Sequence, residues 1–176
     1  MKGKIEIITG CMFAGKSTEL LSKVDEYNIR TLFVKPKIDL RYDESSINTH
    51  SGKKVDAIVV DSLAEIFNKL SDFHLVAVDE AQFFGSNIAE HCLKISNMGI
   101  NLVLAGLEYD YLHNRFESMT GLLQIADSVK YLTAICVKCS KPATHSHRIV
   151  RKKSKILVGH QDFYEPLCAQ CYSKNV

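Results

Sequence analysis

The sequence predicts a parallel α/β sheet with helices on both faces, followed by a small second domain that carries its own metal. Three observations lead there. Short apolar runs alternate with amphipathic segments, the pattern of strand–helix–strand units. A glycine loop, "GCMFAGKS", stands between the first apolar run and the first amphipathic segment. After about Ile135 the periodicity gives way to two C-x-x-C pairs around a basic stretch. These boundaries predict one domain over residues 1–134 and a second over 135–176.

Taken in order, "KIEIIT" reads as a buried strand. "STELLSKVDEYN" puts Leu20, Leu21, Val24 and Tyr27 on one helical face. "TLFVKP" is a second strand, ended by Pro36. The polar stretch "RYDESSINTHSGKKVDAIVV" contains a Ser-Gly turn and fits a hairpin. "DSLAEIFNKL" begins a helix that Asp61 or Ser62 can cap, with Ser62 and Glu65 at capping-box spacing. "HLVAVDEAQFF" is a strand ending in two acids. "SNIAEHCLKISNMG" is a helix closed by Gly99, and "INLVLAGL" is a further strand.

At 176 residues the chain is long enough for one sizeable core and an appendage. Hydrophobic residues at 46% and charged residues at 24% are ordinary for a soluble globular protein. A net charge of +2 offers no global attraction for nucleic acid or an anionic membrane. No apolar run approaches the roughly 20 residues that span a bilayer. The N-terminal "MKGKIEIITG" has too short an apolar run for a signal peptide. A cytoplasmic, reducing compartment is therefore expected, where the six cysteines serve as metal ligands or free thiols rather than disulfides.

The glycine loop runs from Gly10 to Ser17 and matches G-x-x-x-x-G-K-S. Its glycines let backbone N–H groups curl around phosphate oxygens, and the following helix adds partial positive charge. Lys16 can reach the β- and γ-phosphates, and the Ser17 hydroxyl can ligate Mg²⁺. An apolar strand ending in Asp79 is the usual second half of such a site, where the acid holds Mg²⁺ directly or through water. Glu80 follows at once. Adjacent strand residues face opposite ways, so the two acids take different jobs if the strand runs through both. A carboxylate beside the γ-phosphate is a candidate base for an attacking hydroxyl.

Cys136 and Cys139 form one knuckle and Cys168 and Cys171 the other, with 28 residues between them. Four thiolates in that arrangement fit a closed tetrahedral Zn²⁺ site, structural rather than catalytic. The one-residue separation of His145 and His147 does not match zinc-ligand spacing. Cys11 and Cys92 have no partner pattern and read as small buried hydrophobes. The stretch between the knuckles includes "RIVRKKSK", for which composition leaves three readings open. It can be a nucleic-acid patch, a solvated loop tip, or a flap closing over a small ligand.

With these motifs in order, the chain resembles the cytosolic-type (type II) thymidine kinases. The matching pieces are "GCMFAGKSTELL", "KPKIDLRY", "THSG", "VAVDEAQFF", "LAGLEYDY", "YLTAICVKC" and "VGHQDFYEPLCAQCY", and they cover nearly the whole chain. The resemblance implies an ATP-binding sheet like that of recombination-type ATPases, with a zinc-ribbon-like domain whose lasso loop closes over a nucleoside. It implies transfer of the ATP γ-phosphate to the 5′-hydroxyl of thymidine, with deoxyuridine as a second possible acceptor. Glu80, Lys16 and Arg41 would be catalytic. The ATP site would comprise Gly10, Cys11, Met12, Phe13, Ala14, Gly15, Lys16 and Ser17, with Asp39, Arg41, Asp79 and Gln82. Met12, Phe83, Leu107, Tyr111 and Phe116 would line the base pocket. Tyr164 and the backbone of Lys155, Ile156, Leu157, Val158 and Gly159 would close it. The family also implies a homotetramer and feedback inhibition by thymidine triphosphate, while the charge balance and the lack of an apolar span point to no membrane or nucleic-acid partner.

Taken without the resemblance, Met12, Leu107 and Phe116 read as plain core. The chain departs from the family pattern at Cys11, Glu108, Tyr111, Leu112, Arg115 and His160, around the nucleoside pocket rather than at the phosphate residues. Two alternatives remain: a nucleic-acid-stimulated ATPase binding through the zinc module, and a non-catalytic nucleotide-binding regulator. The first predicts hydrolysis enhanced by DNA or RNA with steep salt dependence. The intact Lys16, Ser17, Asp79 and Glu80 argue against the second.

Overall fold

A computed structural model describes residues 1–37, 46–48, 54–150 and 163–174. The chain opens with β1 (Ile5–Gly10), α1 (Lys16–Tyr27) and β2 (Thr31–Pro36). A hairpin of β3 (Ser46–Asn48) and β4 (Lys54–Asp56) precedes β5 (Ile58–Val60). There follow a 3₁₀ helix (Leu63–Asp72), β6 (Leu75–Val78), a 3₁₀ turn (Ala81–Phe83), α2 (Ile88–Asn97), β7 (Asn101–Gly106), α3 (Glu117–Ile125) and β8 (Ser128–Leu132). The six strands of the main sheet stand in the order β5-β2-β6-β7-β1-β8, and every pairing is parallel.

Period-two alternation on the central strands divides the core between the two faces of this sheet. Ile7, Val76, Val78, Leu102 and Leu104 face the side covered by the long 3₁₀ helix, α2 and α3. Ile8, Leu75, Ala77, Val103 and Ala105 face the other side, under Leu20, Leu21 and Val24 of α1. Helix α1 therefore buries the stripe its sequence presents, and it ends at Asn28, a left-handed residue whose N–H donates to the Val24 carbonyl. Helix α2 buries Ile88, His91, Cys92 and Ile95 on one face. It is closed by Gly99 at φ 85°.

Three local expectations are refined. The polar stretch forms a hairpin only at β3 and β4; Ile58–Val60 leaves it to pair in parallel with Val34–Pro36 at the sheet edge, where Val60 joins the core. The segment after Ser62 is a 3₁₀ helix rather than an α-helix, although the Ser62–Glu65 capping box forms as its spacing predicts. Strand β6 stops at Val78, one residue before the paired acids.

The chain then builds β9 (Ala134–Ile135), β10 (Pro142–Ala143), β11 (His145–Arg148), β12 (Tyr164–Leu167) and a one-turn α4 (Ala169–Tyr172). β9 pairs with β10, and β11 pairs with β12, both antiparallel. Their small core contains Ala134, Cys136, Ala143, Leu167 and Cys168, and it also contains Cys11 of the glycine loop. Cys11 is thus the small buried hydrophobe its sequence suggests, in a place the sequence does not suggest. It packs into the cysteine module, and its thiol donates to the Ala143 carbonyl at 3.2 Å. Cys92 is fully buried in the main core.

Candidate active site

The glycine loop leaves the C-terminal end of β1, which lies beside β7, itself beside β6. In an open parallel sheet the crevice outside the carboxyl ends of the strands is where ligands bind. The loop's geometry explains its residues. A Cβ on Gly10 would lie 2.3 Å from the Leu132 carbonyl oxygen of β8, and Gly15 takes φ 82° immediately before α1. Phe13 also holds a positive φ of 66°. A left-handed turn there lets successive N–H groups point to one side, which suits an anion. Lys16 reaches across the loop, its Nζ donating to the Cys11 carbonyl at 2.9 Å.

The tertiary fold brings the strand-end acid to this loop. Ser17 Oγ donates to Asp79 Oδ2 at 2.9 Å, joining residues 62 positions apart. Asp79 is buried, 5% exposed. Burial, then the charge of Glu80, pushes its carboxyl up to about 6, against the Ser17 hydroxyl and the nearby Lys35. Burial pulls the Lys16 ammonium down from its ordinary value, while Glu80, Cys11 and Asp79 pull it back. A hydroxyl and a carboxylate in contact, beside a half-buried ammonium, form a donor set of the kind that holds Mg²⁺ and phosphate oxygens together.

Raising a carboxyl's pKa on folding has a defined sign. The folded state then holds the Asp79 proton more tightly than the unfolded chain, so this contribution is greatest below pH 3.8 and is lost as pH rises to about 6. The loss is on the order of 3 kcal/mol by pH 7. Asp79→Asn is therefore expected to stabilise the protein at pH 7.5 without magnesium, by several degrees in Tm, while lowering its activity. Thermal melts at pH 4 and pH 7.5 test this: a gain of equal size at both pH values would refute the assignment.

Glu80 differs from the expectation in mechanism. It does not alternate on a strand. It adopts a left-handed conformation, φ 55° and ψ 39°, just after the strand has ended. For a residue with a Cβ this costs roughly 1–3 kcal/mol, and such strain concentrates at functional sites. Its N–H donates to Asp79 Oδ1 at 3.0 Å. Buried Gln82 then fixes the carboxylate. Its Nε2 donates to Glu80 Oε2 at 2.5 Å, and its Oε1 accepts the Leu107 N–H at 2.9 Å. In this structure, then, Gln82 spends its amide on Glu80 and on the end of β7.

The residues expected to form a base pocket come from the glycine loop, the turn after β6 and the segment after β7. Met12, Phe83, Leu107, Tyr111 and Phe116 are all half-buried, and Phe116 packs against the main core. Phe83 and Phe116 meet edge to face at 6.1 Å. Tyr111 sits in a loop organised by Asp110, whose carboxylate accepts the N–H groups of Leu112 and Asn114. Two departures from the family pattern answer each other here, since Arg115 pairs with Glu108 at 2.5 Å. Tyr164 is buried on β12. Asp39, Arg41 and the run Lys155, Ile156, Leu157, Val158 and Gly159 lie outside the described residues, as does His160.

Two cations escaped the sequence reading. Lys35 ends up near Asp79 because β2 pairs with β6. Arg148, the first residue of "RIVRKKSK", is not an exposed patch residue. It is 9% exposed, and its guanidinium lies 3.6 Å from the Tyr111 ring centroid. All four residues of "HSHR" on β11 are polar, so no hydrophobic alternation in the sequence marks Arg148 as inward-facing.

The four knuckle cysteines come together. Their sulfurs all lie within 4.8 Å of one another, and Cys139 and Cys168 are 3.6 Å apart. Tetrahedral Zn–S bonds of about 2.3 Å put sulfurs roughly 3.8 Å apart, so the cluster fits such an ion. Burial pushes the Cys136 thiol up, and the main-chain N–H groups of Cys168, Lys138 and Cys139 more than offset it, to about 6. Hydrogen bonds to Cys139 and Cys168 push the Cys171 thiol the other way, up to about 12, so it is the sulfur spacing that fits the ion. The module is tied to the glycine loop twice, through Cys11 and through the Met12 N–H, which donates to Ser146 Oγ at 3.0 Å. Among the described residues no helix is long and apolar enough to cross a membrane.

Comparison with known proteins extends the geometry to a family. A family model described as thymidine kinase matches residues 3–172. A Bacteroides fragilis protein named thymidine kinase is 38% identical over 98% of this chain and 88% of its own length. One from Bacteroides thetaiotaomicron is 39% identical over 97% and 87%, and one from Chloroflexus aurantiacus is 36% identical over 99% and 96%. Among solved structures, the Legionella pneumophila ATPase DotB is similar at a TM-score of 0.46 and 16% identity, over 81% of this chain and 44% of that one; a likeness at that distance says nothing of activity. The family match takes in the glycine loop, the paired acids and all four knuckle cysteines, and the chain belongs to the thymidine kinase family.

Proposed function

We propose that this protein transfers the γ-phosphoryl group of ATP to the 5′-hydroxyl of thymidine, with Glu80 as the general base. The observation that carries the proposal is the left-handed turn at Glu80, whose carboxylate is held by Gln82 while Asp79 pairs with Ser17. The glycine loop cradles the triphosphate through its N–H groups, and Lys16 neutralises charge on the phosphate oxygens. Ser17 and Asp79 would hold Mg²⁺, which would supply electrostatic stabilisation of the charge that moves during transfer. Glu80 accepts the proton of the 5′-hydroxyl as that oxygen bonds to phosphorus and the bond to the ADP oxygen breaks. In the same reading Arg41 and Asp39 lie beside the phosphates, and Met12, Phe83, Leu107, Tyr111, Phe116 and Tyr164 hold the base, with the backbone of residues 155–159.

Residues 1–134 serve as the ATP-binding unit and residues 135–176 as the unit that carries structural Zn²⁺. A cytoplasmic homotetramer inhibited by thymidine triphosphate completes the proposal. The test is ADP release by purified protein with Mg-ATP over a panel of nucleosides, with a DNA control. Thymidine, and more weakly deoxyuridine, are expected to drive ADP release. Stimulation by DNA with no response to any nucleoside would refute the proposal.

A further inference from the structure

Strand β11 reads "HSHR", and its burial alternates: Ser146 and Arg148 are buried, His145 and His147 half-buried. An arginine is rarely placed in such a position, because stripping water from the guanidinium is costly unless its surroundings replace the lost interactions. Two tyrosines supply part of that replacement here. The guanidinium stacks on Tyr111 at 3.6 Å and stands 5.4 Å from the Tyr164 ring. Its Nη2 also donates to the Tyr164 hydroxyl at 2.9 Å. Arg148 and Tyr164 are direct cross-strand partners of β11 and β12. Tyr111 belongs to a different part of the chain, the loop after β7. It is anchored a second time by the cysteine module, since Tyr172 donates its hydroxyl to the Tyr111 carbonyl at 2.7 Å.

We propose that Arg148 is a positioning residue of the nucleoside site: its guanidinium holds the Tyr111 wall against the Tyr164 wall and so sets thymidine affinity. The inference rests on the proposed function, in which both tyrosines face the nucleoside. A planar, delocalised cation suits this brace because it can stack on one ring while donating in its own plane to the other residue. A lysine keeps the charge and loses the plane.

The test separates KM values. Arg148→Met and Arg148→Lys are each expected to raise KM for thymidine about tenfold or more, the lysine variant less than the methionine variant, with KM for ATP unchanged within about twofold. Tyr164→Phe removes only the phenol acceptor, so its smaller rise should not add to that of Arg148→Lys in the double variant. It also keeps the test open if Arg148→Met does not fold. Unchanged KM for thymidine, or a parallel rise in both KM values with loss of bound metal, would overturn the brace. The comparison is read on whichever nucleoside the wild-type panel identifies as acceptor. Failure of the thymidine assignment and failure of the brace therefore give different results.

Discussion

Glu80→Gln is expected to lower kcat for thymidine phosphorylation by about 10²–10⁴-fold, the usual contribution of a positioned general base. The substitution keeps the shape of the side chain, and a glutamine carbonyl can still accept from Gln82 Nε2, so the turn should survive. ATP binding should survive as well. Glu80 is one of the charges that push the Asp79 carboxyl upward, and neutralising it eases ionisation of Asp79. The variant should therefore bind Mg-ATP at least as well as the parent while turning over far more slowly. That split distinguishes loss of a base from loss of the phosphate site. Steady-state kinetics with a competition assay for ATP reads both quantities. A variant within about threefold of the parent in kcat would remove Glu80 from the role of base.

Disrupting the four-cysteine cluster should have the broadest effect. Cys136→Ser, or prolonged chelation, is expected to release one metal ion per chain and to cost several kcal/mol of stability, since structural zinc binding is folding free energy for small modules. The loss should not stay local. Cys11 and Met12 of the glycine loop rest on Ala143 and Ser146 of the module, and the Tyr111 carbonyl rests on Tyr172. Both KM for ATP and KM for thymidine should therefore rise, while far-UV circular dichroism shows the main parallel sheet and its helices still folded. Metal analysis with thermal melts checks the first part and kinetics the second. Cys92→Ala, deep in the main core and far from any metal pattern, should leave the metal content alone. Full activity and an unchanged Tm in protein shown to contain no metal would overturn the structural role.

Much of this site was legible because it is written in contiguous residues. A phosphate loop needs its glycines, lysine and hydroxyl within a single turn of chain, so "GCMFAGKS" announces itself. The same holds for each C-x-x-C knuckle, and for an apolar strand running into Asp79 and Glu80. The fold class followed from the alternation of short buried runs with amphipathic segments, which β1, β2, β6 and β7 reproduce, whereas the two edge strands β5 and β8 were not read as part of the sheet. Boundaries were less legible. Whether β6 carries through the two acids depends on whether the neighbouring strands continue beside it, and it stops at Val78. The conformation of Glu80 then comes from a left-handed turn that no periodicity encodes.

By itself, the sequence determined which groups can do chemistry: the glycine loop with its lysine and hydroxyl, the paired acids and the four thiols. These are local patterns, fixed by spacing along the chain. Only the tertiary structure decided which of them meet. It joined Ser17 to Asp79, brought Lys35 beside them by pairing β2 with β6, and gave Gln82 the task of holding Glu80. It also set Cys11 in the core of the cysteine module and turned Arg148 inward from a run that reads as a basic patch. The physical reason is common to all of these. Burial and contact between residues tens of positions apart depend on strand order and on which face of a strand looks inward, and neither is carried by the residues on their own.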